Sequence, residues 1–394
     1  MDRRSRRRRL VRRRRIAAVI LLAFAVVFTW LAFSLGGALL NPALGSSFGS
    51  RFAEWARGHG GSSIVNWVEN EWYKHHQPPI GGTLPPGSIQ KPPASSQTIS
   101  TSVHYLPTPK SMVPFVTPAL SGEGDWRPVG RRVNGIPAIY ETTLRPDSVH
   151  TSYVAGVAWI DTKLLQASLY SGSQIPGGGP FPLTAPIKTS AARTLVAAFN
   201  SGFLMSNANG GYYTAGRTEA PLRKGAASFV VYRNGTSNIV AWGNSVTLNH
   251  SIVSVRQNLD LLVSNGRPVP GLDTNDTTKW GLTLGNAVYV WRSGLGITAD
   301  GALVYVGGPG LNITDLANLL VRAGAVRAME LDINTDWVNF SSYKPSTSHG
   351  LAAASNGTEL LPAMTGTPAR YFESWWARDF ITVSAIRHPT TGGG

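Results

Sequence analysis

The 394-residue sequence contains no cysteine, and only 14% of its residues are charged. The absence of Cys excludes a disulfide-stapled scaffold and any thiolate-held zinc or iron–sulfur centre. It fits a bacterial-type envelope protein better than a stapled secreted domain of eukaryotic type. Low charge beside 42% hydrophobic residues argues against a disordered chain, because enough apolar surface is present to bury a core. No repeat with a period of about 20–50 residues is present, so solenoids and propellers gain no support. Also absent are a Gly-x-Ser-x-Gly elbow, a phosphate-binding loop, a His-Glu-x-x-His pair and a dinucleotide fingerprint. With eight His and no Cys, a His-rich zinc site is not expected. The 43 Gly and 26 Pro, without a collagen period, point to many turns between short strands.

The net charge of +15 is unevenly spread. Residues 1–15 hold ten Arg and one Asp, whereas the other 379 hold 26 Lys and Arg against 20 Asp and Glu, a net +6. Directly after this basic arm, Ile16 to Leu40 runs for 25 residues without a charge. At ~1.5 Å per residue that run crosses a hydrocarbon core of about 30 Å. The Arg cluster sets the orientation: a single-pass anchor in the cell membrane, the N-terminus cytoplasmic and everything after Leu40 extracytoplasmic. A cleaved signal peptide is the competing reading, with Ala43-Leu44-Gly45 as its small-residue site, but the length of the run favours an anchor. Membrane topology and anionic lipid account for the arm, so no nucleic-acid partner is expected.

Residues 41–125 read as a stalk. Ser62 to His76 can form one short amphipathic helix with Ile64, Val65, Trp67, Val68 and Trp72 as its apolar residues. Trp55, Trp67, Trp72 and Tyr73 suit either a membrane interface or packing on the main domain. His75 and His76, without a nearby carboxylate, are expected to be solvated. A spacer rich in Pro, Gly and Ser follows, from His75 to about Gln97. From about Trp126 the pattern changes to short β-like runs such as Gly135–Leu144, Thr194–Gly202 and Asp379–Ile386, bounded by turn residues. Asn234-Gly235 and Asp300-Gly301 mark hairpins. One helix stands out, with Thr314 as N-cap, Leu316, Leu319 and Leu320 as its stripe, and Gly324 to end it. The expected architecture is α+β: a sheet-dominated single domain with few helices over 126–390, preceded by one transmembrane helix and a stalk.

Three segments could carry chemistry. Phe199-Asn200-Ser201-Gly202-Phe203 ends an apolar run and, taken alone, suits a turn. In the second, Trp291 to Ile297, Arg292 interrupts a strand-like run and must face solvent or meet an anion; its planar fork suits a carboxylate or a phosphate. In the third, Glu330-Leu331-Asp332-Ile333-Asn334-Thr335-Asp336-Trp337, a strand would place Glu330, Asp332 and Asn334 on one face. Its three acidic groups repel one another unless solvated, protonated, metal-bound or paired with a cation. Other charges are less telling. Gly177-Gly178-Gly179 reads as a loop, Arg217, Glu219, Arg223 and Lys224 could line a site or the surface, and His349 is a lone His. Arg370, Arg378 and Asp379 suit ion pairs at a sheet edge.

Together these segments resemble the phosphodiester glycosidase family, over roughly Trp126 to Arg387. Asn200-Ser201-Gly202-Phe203 is similar to its Asn-Gly-Gly-Phe element, with Ser201 in place of a Gly. Arg292-Ser293-Gly294-Leu295-Gly296 is similar to its Arg-x-Ala-x-Gly element. The stretch Asn312–Arg322, followed by Gly324 to Asp332, resembles the layout of its third element, a helix and then Leu-Asp-Gly-Gly-Gly-Ser. The order and spacing of the three carry the resemblance. Ile333-Asn334-Thr335-Asp336 stands where the family has its glycines.

The resemblance implies hydrolysis at a sugar–phosphate junction, with bacterial relatives associated with exopolysaccharides and phosphodiester-linked wall polymers. On that basis Asp332 is the base or electrostatic stabiliser, with Glu330 or Asp336 as second carboxylate. Arg292 grips the phosphate, Asn200 and the Gly202 backbone orient substrate, Asn334 or Asp336 replaces lost polar contacts, and Arg217 lines the site. No cofactor is implied, although a divalent cation at the acidic loop is compatible with these residues. The expected partner is a phosphate-containing polysaccharide or glycoconjugate. The alternative is a membrane-tethered, non-catalytic binder of such a polymer, which the Ile333 departure favours; a nuclease lacks the usual metal-ligand clusters.

Overall fold

The computed structural model describes residues 3–91, 104–281, 283, 287–365 and 367–386, and the chain divides into two units, residues 1–69 and 70–394. The spacer from residue 92 onward and the expected domain end at 387–390 lie outside the described residues.

In the first unit, helix α1 (Arg3–Leu40) includes an apolar stretch, Val11–Leu40, most of whose side chains are exposed. It is long and apolar enough to cross a membrane, a property that anchors and signal sequences share. Ser47 caps the next helix, α2 (Phe48–Ala56), which packs back on α1. Trp55 Nε1 donates to Ser34 Oγ at 2.9 Å, and its ring stacks on His59 at 4.5 Å. Trp55 thus packs within its own unit, an arrangement that neither expectation contained. Helix α3 (Ser62–His75) forms as the pattern predicts and leaves Ile64, Trp67 and Val68 exposed. One expectation is corrected here: His75 does have a carboxylate nearby, Glu71 Oε1 at 3.1 Å one helical turn earlier.

Eighteen described strands in three sheets make up the second unit. The largest sheet begins with β1 (Arg127–Val133), β2 (Ile136–Leu144) and β3 (Ala155–Ile160). It continues through β14 (Leu303–Leu311), β13 (Val290–Thr298), β15 (Ala325–Glu330), β11 (Leu261–Ser264) and β12 (Arg267–Pro268). A second has the order β17 (Gly357–Glu359), β16 (Phe340–Tyr343), β5 (Leu195–Asn200), β18 (Phe380–Ala385), β4 (Leu165–Tyr170). The third has β7 (Arg217–Ala220), β6 (Tyr212–Thr214), β10 (Ile252–Gln257), β8 (Ala227–Tyr232) and β9 (Ser237–Ala241). Every pairing among these strands is antiparallel, and both expected hairpin turns join neighbours, β8 to β9 and β13 to β14. Two one-turn helices, α4 (Thr189–Ala192) and α5 (Thr277–Trp280), and the longer α6 (Ile313–Arg322) complete the α+β architecture.

One face of the large sheet joins strands of the other two in the main core, where Ile139, Phe199, Phe229, Leu295, Met329 and Ile381 are buried together. The other face is covered by α6 through Leu316, Leu319 and Leu320. The cap of α6 is Asn312, two residues before Thr314, because its side chain and that of Asp315 form a reciprocal capping box. Gly324, at φ +94°, supports the left-handed turn that follows. The glycines of the Arg-Ser-Gly-Leu-Gly stretch serve this packing: a Cβ on Gly296 would sit 2.6 Å from the Ala325 Cβ.

The domain also begins earlier than Trp126. Leu106 and Met112 are buried, the Leu106 N–H donates to Asp161 Oδ2 at 2.9 Å, and Glu123 pairs with Arg145 at 2.7 Å. These apolar residues are too widely spaced to form a pattern, so the segment reads as stalk until its partners are seen. Replacing Gly296 with Ala forces this strand and the start of β15 apart. We expect a stability loss of ~1–3 kcal/mol by chemical denaturation, with the site residues untouched.

Candidate active site

The three singled-out segments converge. Asn200 closes β5, Arg292 and Ser293 lie in the first half of β13, and Glu330 closes β15, two residues before Asp332. Antiparallel pairing of Gly294 with Glu330 brings the last two to one end of the large sheet. Asn200 Nδ2 crosses from the second sheet and donates to Ser293 Oγ at 2.9 Å. The Ser293 hydroxyl in turn bonds the backbone of Asp332, and Asn200 Oδ1 accepts from Tyr305 OH at 2.9 Å and the Asn339 N–H at 3.2 Å. From the third sheet, Asn258, just past β10, donates to the Glu330 carbonyl at 2.8 Å. Three sheet ends therefore meet in one buried polar seam.

Two ion pairs lie in it with side chains fully out of solvent. Arg256 Nε meets Asp379 Oδ2 at 2.7 Å, where Ser201 Oγ also donates at 2.6 Å. Arg292 Nη1 meets Glu330 Oε1 at 2.6 Å, and its remaining nitrogens donate to the Leu311 and Val288 carbonyls. The anion that Arg292 meets is thus a carboxylate of its own chain. Gly202 is needed for close approach, because a Cβ there would stand 3.0 Å from the Arg256 guanidinium.

The acidic loop resolves its repulsion by separate partners. The regular strand ends at Glu330, whose carboxylate goes to Arg292. Asp332 Oδ1 accepts from the Ile333 and Asn334 N–H groups at 2.8 and 3.0 Å, while Asn334 Oδ1 accepts from the Asp336 N–H at 2.8 Å. Asn334 and Asp336 are therefore turn residues, outside the run of alternating strand positions expected of the segment. Ile333 packs against Phe203, Ala208 and Leu259, which accounts for an apolar residue where glycine was expected. Arg217 lies on the exposed strand β7, 2.9 Å from Glu219 and over the Phe181 ring, while Arg223 pairs with Asp260. Among the described residues no group of three or more His, Asp or Glu is placed to hold a metal ion.

Sequence reasoning missed several members. Arg256 carries the same signal as Arg292, an Arg inside an apolar run, yet β10 was not among the expected strands. Asp379 does form an ion pair, whereas Arg370 and Arg378 lie over the rings of Trp376 and Trp337. Arg370 also donates to the carbonyls of Asp336 and Thr365. Glu359 accepts from Asn339 Nδ2 at 3.2 Å, which links it through Asn200 and Ser293 to Asp332. Arg370 Nε and Tyr371 OH, both buried here, have no hydrogen-bond partner among the described residues. Such orphaned donors are rare in native interiors and mark places with a use for them.

Burial sets the protonation states. It pushes the Glu330 carboxyl up to about 7 against the pull of Arg292, and nearby Asp332 adds to the rise. Glu359, only half-buried, is likewise raised to about 7 by desolvation, opposed by Arg370 and the Asn339 bond. Tyr305 is pushed far up by burial and stays a phenol donor to Asn200.

Residues 193–332 match the phosphodiester glycosidase family. Comparison with curated proteins finds no significant match. Among solved structures, the catalytic domain of zebrafish N-acetylglucosamine-1-phosphodiester alpha-N-acetylglucosaminidase, auto-inhibited by its pro-peptide, is similar at 12% identity and a TM-score of 0.36, covering 66% of this chain and 87% of that one. A hypothetical protein from Synechocystis is similar at 13% identity and a TM-score of 0.36, covering 67% of this chain and 65% of that one.

Asp379→Asn strands the buried Arg256 charge and is expected to cost about 3–5 kcal/mol, read as a lowered unfolding midpoint. Stability also depends on pH. Glu141, Asp315, Glu330 and Glu359 are all raised to about 7, so between about 4.5 and 7 the folded state keeps protons that the unfolded chain has released. Their contribution is fully present below that window and is lost as pH rises through it. The thermal midpoint is expected to be higher at pH 5 than at pH 8.

Proposed function

Because residues 193–332 match the phosphodiester glycosidase family, we propose that the chain hydrolyses a sugar-1-phosphodiester bond in an envelope or extracellular polysaccharide. In this reading residues 16–40 anchor it in the cell membrane, the N-terminal arm is cytoplasmic and the catalytic domain is extracytoplasmic. Supporting the reading above all is one observation, the convergence of Asn200, Ser293 and Asp332 from three distant segments into one hydrogen-bonded line.

The leaving group is a phosphate monoester, a stable anion. The demands on the protein are therefore to stabilise an oxocarbenium-like sugar and to position water. Asp332, its orientation fixed by two backbone N–H groups, serves as base toward that water or as the negative charge facing the sugar. Glu359, titrating near neutrality at the other end of the line, supplies the second carboxylate. Glu330 acts from beneath, through its pair with Arg292, and Asp336 and Asn334 shape the loop. With its nitrogens engaged, Arg292 serves as a buried support, and the phosphate goes to Arg370, which meets the acidic loop at the Asp336 carbonyl and keeps an orphaned Nε. Asn200 and Gly202 hold the seam in register, while Arg217, at the edge of the third sheet, contacts polymer beyond the scissile bond. One observation favours the binder reading: Asn200 and Asp332 are each only 3% exposed.

The test incubates the full chain with chromogenic sugar-1-phosphodiesters and phosphate-containing wall polymer, following free sugar and new phosphomonoester. Asp332→Asn should lower turnover about 10²–10⁴-fold without unfolding the domain. Full activity in the folded variant removes Asp332 from the mechanism, and tight polymer binding without release at any pH favours the binder.

A further inference from the structure

At the opposite end of the second sheet from the seam lies a cleft of about 890 Å³ whose lining carries Arg131, Arg132, Arg193, Lys344 and His349 and no Asp or Glu. Its place follows from the register: Asn200 pairs with Phe380 at one end of β5 and β18, whereas Arg193 precedes β5, and Ala385, which ends β18, lies on the cleft wall. Five residue steps along β5 separate the two ends by ~17 Å.

The cleft is built. Arg131 is only 6% exposed, and its guanidinium donates to the carbonyls of Ser348 and Gly350, which pins the loop carrying Lys344 and His349 as one wall. The β1–β2 turn at Asn134 and Gly135 forms another, and Arg132 Nη1 donates across it to the Gly135 carbonyl at 2.9 Å. Arg132, Arg193, Lys344 and His349 are exposed, and neither Arg193 nor Lys344 has an ion-pair partner among the described residues. Four permanent cations, Arg131, Arg132, Arg193 and Lys344, thus line one cleft without a carboxylate among them. Like charges so placed repel one another, and an anion is what relieves them. The lining has no Trp, Tyr or Phe, so it offers charge and hydrogen bonds and no ring to stack on a sugar face.

We infer that this cleft is a second, non-catalytic binding site for the phosphodiester backbone of a linear anionic polymer. It holds a stretch of the same chain whose sugar–phosphate bond lies at the seam. The polymer's chemical class rests on the function proposed above; the cationic lining does not. The backbone phosphates seat against Arg132, Arg193 and Lys344, and the site raises the local concentration of substrate without touching the reacting bond.

The experiment uses the full chain in zwitterionic nanodiscs, with fluorescent poly(glycerol phosphate) as probe, over a range of salt. Arg193→Gln with Lys344→Gln should weaken binding roughly tenfold and flatten the salt dependence by about two charges' worth. Arg233→Gln with Arg267→Gln, which removes the same charge elsewhere, should change neither. The basic arm contributes equally to all three chains. Unchanged affinity and salt slope in the cleft variant overturn the inference. A parallel arm measures capture of anionic-lipid vesicles; a loss by the cleft variant confined to that arm, with polymer binding intact, also overturns the inference and would mean a lipid headgroup. Cleavage of a small soluble sugar-1-phosphodiester should be equal in all three chains. If none of the three cleaves it, the glycosidase reading fails while the binding comparison still decides the cleft.

Discussion

The interaction on which the domain depends is the burial of charge where its three sheets meet. Arg256 and Asp379 are both at least 99% out of solvent, and they tie the end of one sheet to the start of a strand in another. Taking such ions out of water costs several kcal/mol each, which is recovered only with close geometry and further hydrogen bonds. Ser201, Gln257 and Phe203 provide those bonds around Arg256 and Asp379. A slip of one residue in β10 or β18 would leave both charges unpaired in the interior. The pair therefore sets register as much as it stabilises, and the Arg292–Glu330 pair does the same between β13 and β15.

That constraint separates two kinds of polar residue. Asn200, Ser293 and Asn258 have their hydrogen bonds met within the chain, and they form a floor that holds neighbouring backbone in place. Beside the acidic loop, Arg370 Nε keeps donor capacity, and Glu359 keeps a proton that it can lose near neutral pH. A rigid floor with unspent polar capacity at its margin is what positioning a substrate requires. Ile333 fits this division, because its side chain packs against an apolar cluster of Phe203, Ala208 and Leu259.

Charge is distributed on a larger scale as well. Residues 1–15, which run into α1, carry most of it, while the cleft bounded by β1, β5, β16 and β18 is lined by four permanent cations and no carboxylate. The seam pairs Arg256 and Arg292 with carboxylates, whereas no carboxylate lines the cleft. Field from the cleft cations reaches solvent, whereas field from the seam pairs is cancelled within a few ångströms.

Local pattern by itself determined the apolar N-terminal span, the short strands, the two Gly-marked hairpins, α6 with its stripe, and the α+β class. It also singled out Asn200, Arg292 and the acidic loop, because each is a polar interruption of an apolar run or an unusual density of one charge. Propensity, periodicity and turn chemistry act over a few residues, so a linear reading captures them. Only the tertiary structure decided which anion Arg292 meets, that Asp332 and Asn334 belong to a turn, and that residues 104–125 belong to the domain. It alone joined Arg256 to Asp379 across 123 positions and Glu359 to the seam. Those partnerships depend on desolvation and on strand register between sheets, quantities that no short window of sequence contains.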